Sequence, residues 1–298
     1  MSFYNTYHYS QDFLLSIADL SKSTFHYTRH IEAETSRRGR QCPGYSMTFS
    51  GDKISDEMIE TLIIKVAGDY PFYGYHKLNH HLRRKFRIQI NPKKTYRLCK
   101  ELDILLPISK RRKDPDSPIV FAKVPVSKPE EHLQMDITYI TCFTRIMFIL
   151  DIIDSYSLEL VNYHLGFSID SEDVIKLVKE SLQTWETGKA VTIRTDNGPQ
   201  FRSKVMKKFC MEKGIKHERI PVCSPERNPN IERFHGTLKS EFVNRNDFEG
   251  YQDFSIKLYD YIEFYNNDRY HQSLKYMSPR EFAEAFSSNS ATRGVLHV

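Results

Sequence analysis

His-Leu-Gln-Met-Asp-Ile-Thr-Tyr-Ile, residues 132 to 140, marks the point where the sequence takes on the pattern of β-strands. Three short strand candidates follow in succession, at residues 132–142, 145–153 and 158–167, with brief polar connections between them. Alternating and β-branched apolar residues are the usual signals of strands in a sheet. Helix, strand, helix, strand and helix then follow. This order predicts an α/β fold with a mixed five-stranded sheet flanked by helices.

Capping residues and glycines delimit the elements that come after the first three strands. Ser171 can cap a helix that Gly188 ends, and Gly214 closes a helix over 203–213. The fourth and fifth strands are predicted at 190–195 and 215–220. Residues 253–265 form an aromatic helical stripe, and Ser278-Pro-Arg-Glu281 is a capping box for a last short helix.

The region ahead of the sheet is predicted to be helical. Ser55 can cap a first helix, and Asn91-Pro92 combines a cap with proline at the first helical position. Helix, short turn and basic helix predict an all-α helix-turn-helix domain. We divide the chain into five parts: a partly helical N-terminal segment (1–50), the helix-turn-helix domain (51–108), a basic Pro-containing linker (109–129), the α/β core (130–245) and a C-terminal helical extension (246–298). The N-terminal segment has a helix candidate at Phe13 to Leu20.

Length and composition narrow the class of protein. The 298 residues are enough for about two domains, and 40% hydrophobic residues can supply packed cores. No apolar run approaches the ~18–20 residues that a membrane span needs. The five cysteines are dispersed without a CxxC pair, which indicates reduced thiols in a cytoplasmic protein.

Positive charge is concentrated in one part of the chain. Residues 77–113 hold thirteen Lys or Arg and two acids, although the whole chain has a formal net charge of only +5. Such a block beside a near-neutral body favours binding of a polyanion such as nucleic acid. The alternative interpretation is a solvated helix face.

Three carboxylates have informative surroundings. Asp136 lies in the first strand candidate, and Asp196 follows the fourth in Arg-Thr-Asp-Asn-Gly-Pro-Gln-Phe. Glu232 follows a proline-containing loop and opens a helix in Asn-Ile-Glu-Arg-Phe-His-Gly-Thr-Leu-Lys, residues 230–239. Between Asp196 and Glu232 lie 35 residues. Converging carboxylates repel one another unless a cation is bound, and hard oxygen ligands suit Mg²⁺, for which Mn²⁺ can substitute.

These three blocks, in this order and spacing, resemble the DDE catalytic core of retroviral integrases and of bacterial insertion-sequence transposases of the OrfB type. Tyr-Gly-Tyr-His-Lys-Leu at 73–78 and Tyr-Ile-Glu-Phe-Tyr-Asn-Asn-Asp-Arg-Tyr-His-Gln-Ser-Leu at 261–274 are also similar to that family. The resemblance covers roughly residues 55–286. It implies an RNase H-like sheet in which Asp136, Asp196 and Glu232 are catalytic and hold two metal ions.

The resemblance further implies cleavage and joining of DNA at the terminal inverted repeats of an insertion sequence. It implies a companion protein of the OrfA type and a homo-oligomer assembled on DNA. The protein is expected to act in the bacterial cytoplasm, at the nucleoid, and to have no membrane partner. Lys239 lies two helical turns beyond Glu232 and matches the family's basic residue near the cut. The expected DNA contacts are Lys239, Arg233, Asn197, Arg83, Arg84, Lys93, Lys94 and Arg97.

Two other functional readings stay open. One is a non-catalytic DNA-binding regulator derived from a transposase, and the other is a nuclease of the same fold that cleaves without joining. Three possible zinc ligands, His76, His80 and Cys99, form an incomplete structural zinc site. The alternative is that the two histidines lie on a helix that faces DNA. His235 is expected either near metal or phosphate or at the surface. Asp151 and Asp154 are expected in the turn between the second and third strands.

Overall fold

The computed structural model describes residues 43–107, 126–142, 145–183, 191–221 and 228–291, together with Leu15. The expected N-terminal helix and most of the expected linker lie outside these ranges. No helix within the described ranges is both long enough and apolar enough to cross a membrane.

The N-terminal domain contains three helices, as predicted. Ser55 caps the first helix by accepting a hydrogen bond from the Met58 backbone N–H, and Asn91 caps the third through Lys93. Gly74 precedes the second helix. The helices are α1 (Asp56–Asp69), α2 (Tyr75–Lys85) and α3 (Pro92–Glu101).

A small sheet accompanies these helices, so the prediction of an all-α domain is wrong. Its strands are β1 (Tyr45–Thr48), β2 (Lys53–Ser55) and β3 (Ile88–Gln89), in the order β2-β1-β3. Two to four residues are too few to show period-two alternation. β3 pairs with β1 across some forty residues of chain, so only the folded domain brings these backbones together.

The catalytic core candidate is a five-stranded mixed sheet, as predicted. Its order is β6-β5-β4-β7-β8, with β4, β5 and β6 antiparallel and β7 and β8 parallel to β4. The strands are β4 (His132–Cys142), β5 (Arg145–Asp154), β6 (Leu160–Gly166), β7 (Thr192–Thr195) and β8 (Lys216–Arg219).

Helices cover both faces of the large sheet. On one face, Leu133 and Met135 pack with α4 (Ser171–Gln183) and α6 (Lys204–Lys213), and a short α5 (Pro199–Arg202) precedes α6. On the other face, α7 (Pro229–Glu241) and α8 (Tyr251–Asn267) pack on residues such as Ile149. The alternation predicted for β4 therefore divides its side chains between two cores.

The C-terminal region packs on the N-terminal domain. Phe264 of α8 stacks on Tyr70, with ring centroids 5.5 Å apart, and Tyr270 is buried in the same apolar cluster as α1 and α2. The last helix, α9 (Pro279–Ala291), begins at the predicted capping box, in which the Ser278 hydroxyl and the Glu281 backbone N–H are 3.4 Å apart. These contacts join the first and last parts of the described chain.

Candidate active site

Two aspartates lie side by side on adjacent strands of the large sheet, and a third follows the end of a neighbouring strand. Asp136 of β4 pairs directly with Asp151 of β5 in the antiparallel ladder. On the other side of β4, the parallel register aligns Gln134 with Arg194. Asp196 follows the last residue of β7, and it lines the same cavity as Asp136. The structure thus brings the first two predicted catalytic carboxylates together.

The turn after β7 positions the Asp196 carboxylate. Its Oδ1 accepts a hydrogen bond of 2.8 Å from the backbone N–H of Gly198, the side-chain-to-backbone turn typical of Asp and Asn. A Cβ atom at Gly198 would lie only 3.1 Å from this Oδ1. Glycine at this position therefore leaves the room in which the carboxylate can fold back on the turn.

Asp136 and Asp196 line one cavity of about 340 Å³. The pKa of Asp136 is raised to about 7, chiefly by burial; His235 opposes this shift, and the charges of Asp151 and Asp196 add to it. Negative charge in this cavity is consequently costly without a cation. The remaining walls are formed by Ile137, Phe148, Phe167, Ser168, Ile169, Gly198, Gln200 and Phe201.

Asp151 is fully buried in β5, so its predicted place in a turn is wrong. Its two carboxylate oxygens each lie 3.0 Å from Nε2 of His235. Asp154, at the end of β5, does shape the following turn, because its Oδ1 accepts hydrogen bonds from the Tyr156 and Ser157 backbone N–H groups. A buried carboxylate needs such partners, and His235 of α7 supplies the one for Asp151 within the strand.

His235 is buried on α7 between two of these aspartates. In addition to its contact with Asp151, its Nδ1 lies 3.8 Å from Oδ2 of Asp136. Burial lowers the pKa of His235, but the attraction of Asp151, and then of Asp136 and Glu232, outweighs this and the net pKa is raised. The surface position considered for His235 is excluded, since only 6% of the residue is exposed.

Glu232 lies in the first turn of α7, where its side chain is exposed. The β4 residue Gln134 fixes the start of this helix, because its Oε1 accepts hydrogen bonds from the backbone N–H groups of Asn230 and Ile231. Glu232 does not line the cavity of Asp136 and Asp196. Within the described ranges, no group of three His, Cys, Asp or Glu side chains is placed to hold a metal ion. Convergence of all three acids stays a prediction.

The expected DNA contacts near the carboxylates have different surroundings. Lys239 lies over the exposed ring of Tyr139, 5.4 Å from its centroid. The side-chain amide of Asn197 donates to the Ile220 carbonyl oxygen, which holds the Asp196 turn against the end of β8. Arg233 is exposed and lines a second cavity.

The expected DNA contacts of the N-terminal domain are partly engaged within the protein. Lys94 and Arg97 of α3 share the carboxylate of Asp56, at 2.5 and 2.8 Å. Arg84 forms a two-pronged pair with Glu281 of α9. Arg83 and Lys93 are exposed, with no ion pair to any described residue. These pairs neutralise part of the basic block that the sequence places here.

The sequence contained a signal for the position of Asp151, which was wrongly predicted to lie in a turn. Asp151 interrupts the apolar run from Ile146 to Ile153, and a charge within such a strand indicates a buried partner. His80, considered for zinc or for a DNA-facing helix, instead stacks on Tyr276 with ring centroids 5.0 Å apart and contacts Tyr270 edge-on. Aromatic packing explains its position.

Comparison with known proteins agrees with this architecture. Two models of the integrase core domain match residues 126–225 and 213–279, and a model of an HTH-like domain matches residues 53–113. The two integrase core matches together extend over more than half of the chain. The first of them includes Asp136 and Asp196, and the second includes Glu232.

Similar full-length proteins come from insertion elements. An IS476 protein of Xanthomonas euvesicatoria is 27% identical over 80% of this chain and 68% of its own length. The transposase InsD for insertion element IS2D of Escherichia coli is 26% identical over 75% of this chain and 77% of its own length. An IS407 protein of Burkholderia multivorans is 26% identical, with 76% and 81% covered.

Among solved structures, a chain of the simian T-cell lymphotropic virus intasome in complex with PP2A regulatory subunit B56 gamma is 17% identical, and the match covers 74% of each chain with a TM-score of 0.47. The HTLV-2 integrase catalytic core in complex with magnesium is 18% identical, covers 52% of this chain and 97% of its own, and has a TM-score of 0.42. On these matches, the chain contains an integrase core domain and an HTH-like domain, and it is similar to transposases of insertion elements.

Proposed function

We propose that this protein is a transposase that cleaves DNA strands at the ends of an insertion sequence and joins them to target DNA. The observation that carries the proposal is the placement of Asp136 and Asp196 in the lining of one cavity. The family match assigns the same part of the chain to an integrase core. We assign Asp136, Asp196 and Glu232 as the catalytic carboxylates.

The residues of this site fit a divalent metal ion. Asp136 and Asp196 offer hard oxygen donors, and the raised pKa of Asp136 shows that its negative charge lacks compensation in the cavity. Mg²⁺ or Mn²⁺ bound there would supply that compensation. We propose that Glu232 contributes the third carboxylate and that two ions are held, as two-metal sites of phosphoryl transfer require.

The chemistry is an in-line displacement at a DNA phosphate. When bound, the ions activate the attacking oxygen and stabilise the leaving one. In cleavage, water attacks the phosphorus, loses a proton and forms a P–O bond, while the bond to the 3′-oxygen breaks and that oxygen is protonated. In joining, the 3′-hydroxyl released by cleavage is the attacking group. Asp136 and Asp196 would hold the ions through their carboxylate oxygens, and His235 lies beside Asp136, with 3.8 Å between Nδ1 and Oδ2.

DNA is the partner that the HTH-like domain and the integrase core have in common. We propose that Arg83, Lys93 and Lys239 contact its backbone, with Asn197 positioned beside the reacting strand. A homo-oligomer assembled on the two element ends and a companion protein of the OrfA type complete the proposed assembly, which acts at the bacterial nucleoid. We also propose the domain bounds given above, with the catalytic core at 130–245.

A strand-transfer assay tests this function. Purified protein is incubated with labelled DNA that carries the element's own end, a target plasmid and Mg²⁺ or Mn²⁺, alongside Asp196→Asn and the control Glu212→Gln, an exposed residue of α6. We expect joined product from the wild type and the control, and none from Asp196→Asn.

The other outcomes identify the competing functions. Cleaved DNA without joined product would show the nuclease. Bound DNA with neither product, even after the companion protein is added, would show a non-catalytic DNA-binding regulator. An active Asp196→Asn variant would contradict the assignment of the site.

A further inference from the structure

A second cavity, of about 460 Å³, lies where α2, α7 and the turn after α8 meet. Its size is in the range of ligand-binding cavities. We call it the basic cleft and define it by three cations, Lys77, Arg233 and Arg269, and three uncharged polar residues, Thr237, Gln272 and Ser273. Phe234, Tyr265 and Tyr270 also line it.

The basic cleft has more positive than negative charge. Among the described residues, its lining includes no Asp or Glu. The nearby Glu241 is engaged by Arg269, with N–O distances of 2.6 and 2.7 Å, and lies 3.9 Å from Lys77. Arg233 has no ion pair with any described residue. Three cations therefore face a single carboxylate.

Burial and the nearby positive charges both lower the pKa values of basic groups that line the cleft. Burial and then Arg269 lower the pKa of Lys77 to about 7, although Glu241 acts in the opposite direction. Burial, Arg269 and Lys77 lower the pKa of His271 to about 2, so this histidine adds no positive charge to the cleft. An anion in the cleft would relieve the repulsion between its cations.

The position of the cleft identifies the kind of anion. Lys77 belongs to the N-terminal domain, whereas Arg233 and Thr237 lie one turn apart on one face of α7. Arg233 directly follows Glu232, the third proposed catalytic acid. A ligand here therefore contacts the DNA-binding region and the catalytic helix at once, which a DNA strand entering the active site is long enough to do.

We propose that the basic cleft binds a phosphodiester group of the DNA backbone, with Lys77 and Arg233 as its ligands and Arg269 held in place by Glu241. This inference rests on the proposed function, because DNA is the polyanion that the transposase engages. The bound phosphate would couple the placement of α2 to that of α7. Its contribution is independent of DNA sequence, since backbone contacts carry no base information.

The test measures DNA affinity against salt concentration for the full chain. Each phosphate contact contributes about 0.9 to the slope of log K against log salt for duplex DNA. We expect Arg233→Gln and Lys77→Gln each to reduce the slope by about 0.9, to the same extent on specific and unrelated duplexes. Lys77→Arg should retain the wild-type slope. Lys208→Gln, an exposed lysine of α6, is the matched control and should also retain it.

Inorganic pyrophosphate gives a second measurement that needs no catalysis. We expect it to raise the melting temperature of the wild type and of Lys208→Gln, but not of Arg233→Gln. Unchanged salt slopes in both Arg233→Gln and Lys77→Gln would overturn the proposal. If Lys77→Gln does not fold, the slope of Arg233→Gln decides alone.

The two assays distinguish an error in the proposed phosphate site from an error in the proposed function. Joined DNA from the wild type together with unchanged slopes would overturn the cleft and leave the transposase assignment standing. Reduced slopes without any joined or cleaved product, even after the companion protein is added, would support the cleft and contradict the catalytic function.

Discussion

Nε2 of His235 lies 3.0 Å from both carboxylate oxygens of Asp151, and this pair is buried beneath Asp136. The two residues come from different elements, since Asp151 is on β5 and His235 is on α7. The contact therefore fixes α7, which also carries Glu232, against the centre of the sheet. It connects the stability of the fold to the geometry of the proposed site.

Removing one member of this pair is expected to lower the stability of the folded protein. His235→Leu leaves the Asp151 carboxylate buried without its partner, and such changes destabilise by about 3–5 kcal/mol. The double variant Asp151→Leu/His235→Leu should recover much of that loss, because it removes both buried polar groups. Urea unfolding of the wild type, both single variants and the double variant measures the coupling. Additive single effects would show that the pair contributes no mutual stabilisation.

Asp136→Asn is expected to stabilise the metal-free protein while abolishing cleavage. The folded pKa of Asp136, about 7, is above its ordinary value of 3.8, so the folded state binds this proton more tightly than the unfolded state. Its contribution to stability is therefore complete below about pH 4 and is lost as pH rises through 7. The advantage of Asp136→Asn should grow between pH 4 and 7 and then level off.

Calorimetric melting temperatures at pH 4, 6 and 8 in the presence of a chelator check this pH dependence. Glu212→Gln, an exposed side chain on α6, is the control and should follow the wild type at every pH. Addition of Mg²⁺ at pH 8 should raise the melting temperature of the wild type and not that of Asp136→Asn. An Asp136→Asn variant that melts below the wild type at pH 8 would contradict the account of charge in the cavity.

Gly198→Ala is expected to impair catalysis with little loss of stability. The added methyl would lie 3.1 Å from Oδ1 of Asp196 and 3.3 Å from atoms of Gln200 and Phe201, so the carboxylate must shift. The shift needed is a few tenths of an ångström. Since displacement of a reacting group by about 1 Å can cost on the order of 100-fold in rate, we expect a smaller loss of rate. The single-turnover cleavage rate is the measurement, and the melting temperature shows whether folding is retained.

Gly236→Ala is the matched control for that substitution, because nothing lies within 4 Å of a Cβ at this exposed position of α7. It should cleave at the wild-type rate. Equal rates for Gly198→Ala and Gly236→Ala would mean that the close approach at Asp196 has no catalytic role.

Lys77→Met is expected to stabilise the protein at neutral pH in the absence of DNA. The folded pKa of Lys77, about 7, is below its ordinary value of 10.5, so the unfolded state binds this proton more tightly. Its contribution to stability is therefore present above about pH 10.5 and is lost as pH falls through 7. Each kcal/mol regained should raise the melting temperature by about 2–4 °C.

The measurement compares melting temperatures of the wild type and Lys77→Met at pH 7 and pH 9. The gain should be larger at pH 7, and Lys208→Met on the exposed face of α6 should show none. A gain that is the same at both pH values would indicate packing of the methionine rather than removal of charge.

Local signals predicted much of the fold. The first strand of the large sheet, His132–Cys142, has the predicted bounds, and the caps at Ser55, Asn91 and Ser278 all form. These features depend on residues close together in the chain, such as a hydroxyl three residues before a free backbone N–H. The same kind of local context distinguished Asp136, Asp196 and Glu232 from the other acids.

Long-range contacts account for what the sequence could not predict. The strands of the small sheet are too short to show a period, and the pairing of Met47 with Gln89 exists only in the folded domain. Asp151 and His235 are 84 residues apart, and no local pattern identifies one as the partner of the other. The ion pair of Arg84 with Glu281 spans 197 residues.

The sequence by itself determined the order and type of the main elements and the chemistry of the carboxylates, because periodicity, caps and flanking residues act over a few positions. Only the tertiary structure decided that Asp136 and Asp196 line one cavity, that His235 is the buried partner of Asp151, and that Lys77 and Arg233 line the basic cleft. The physical reason is that strand register, burial and charge balance depend on groups that folding brings together from distant parts of the chain.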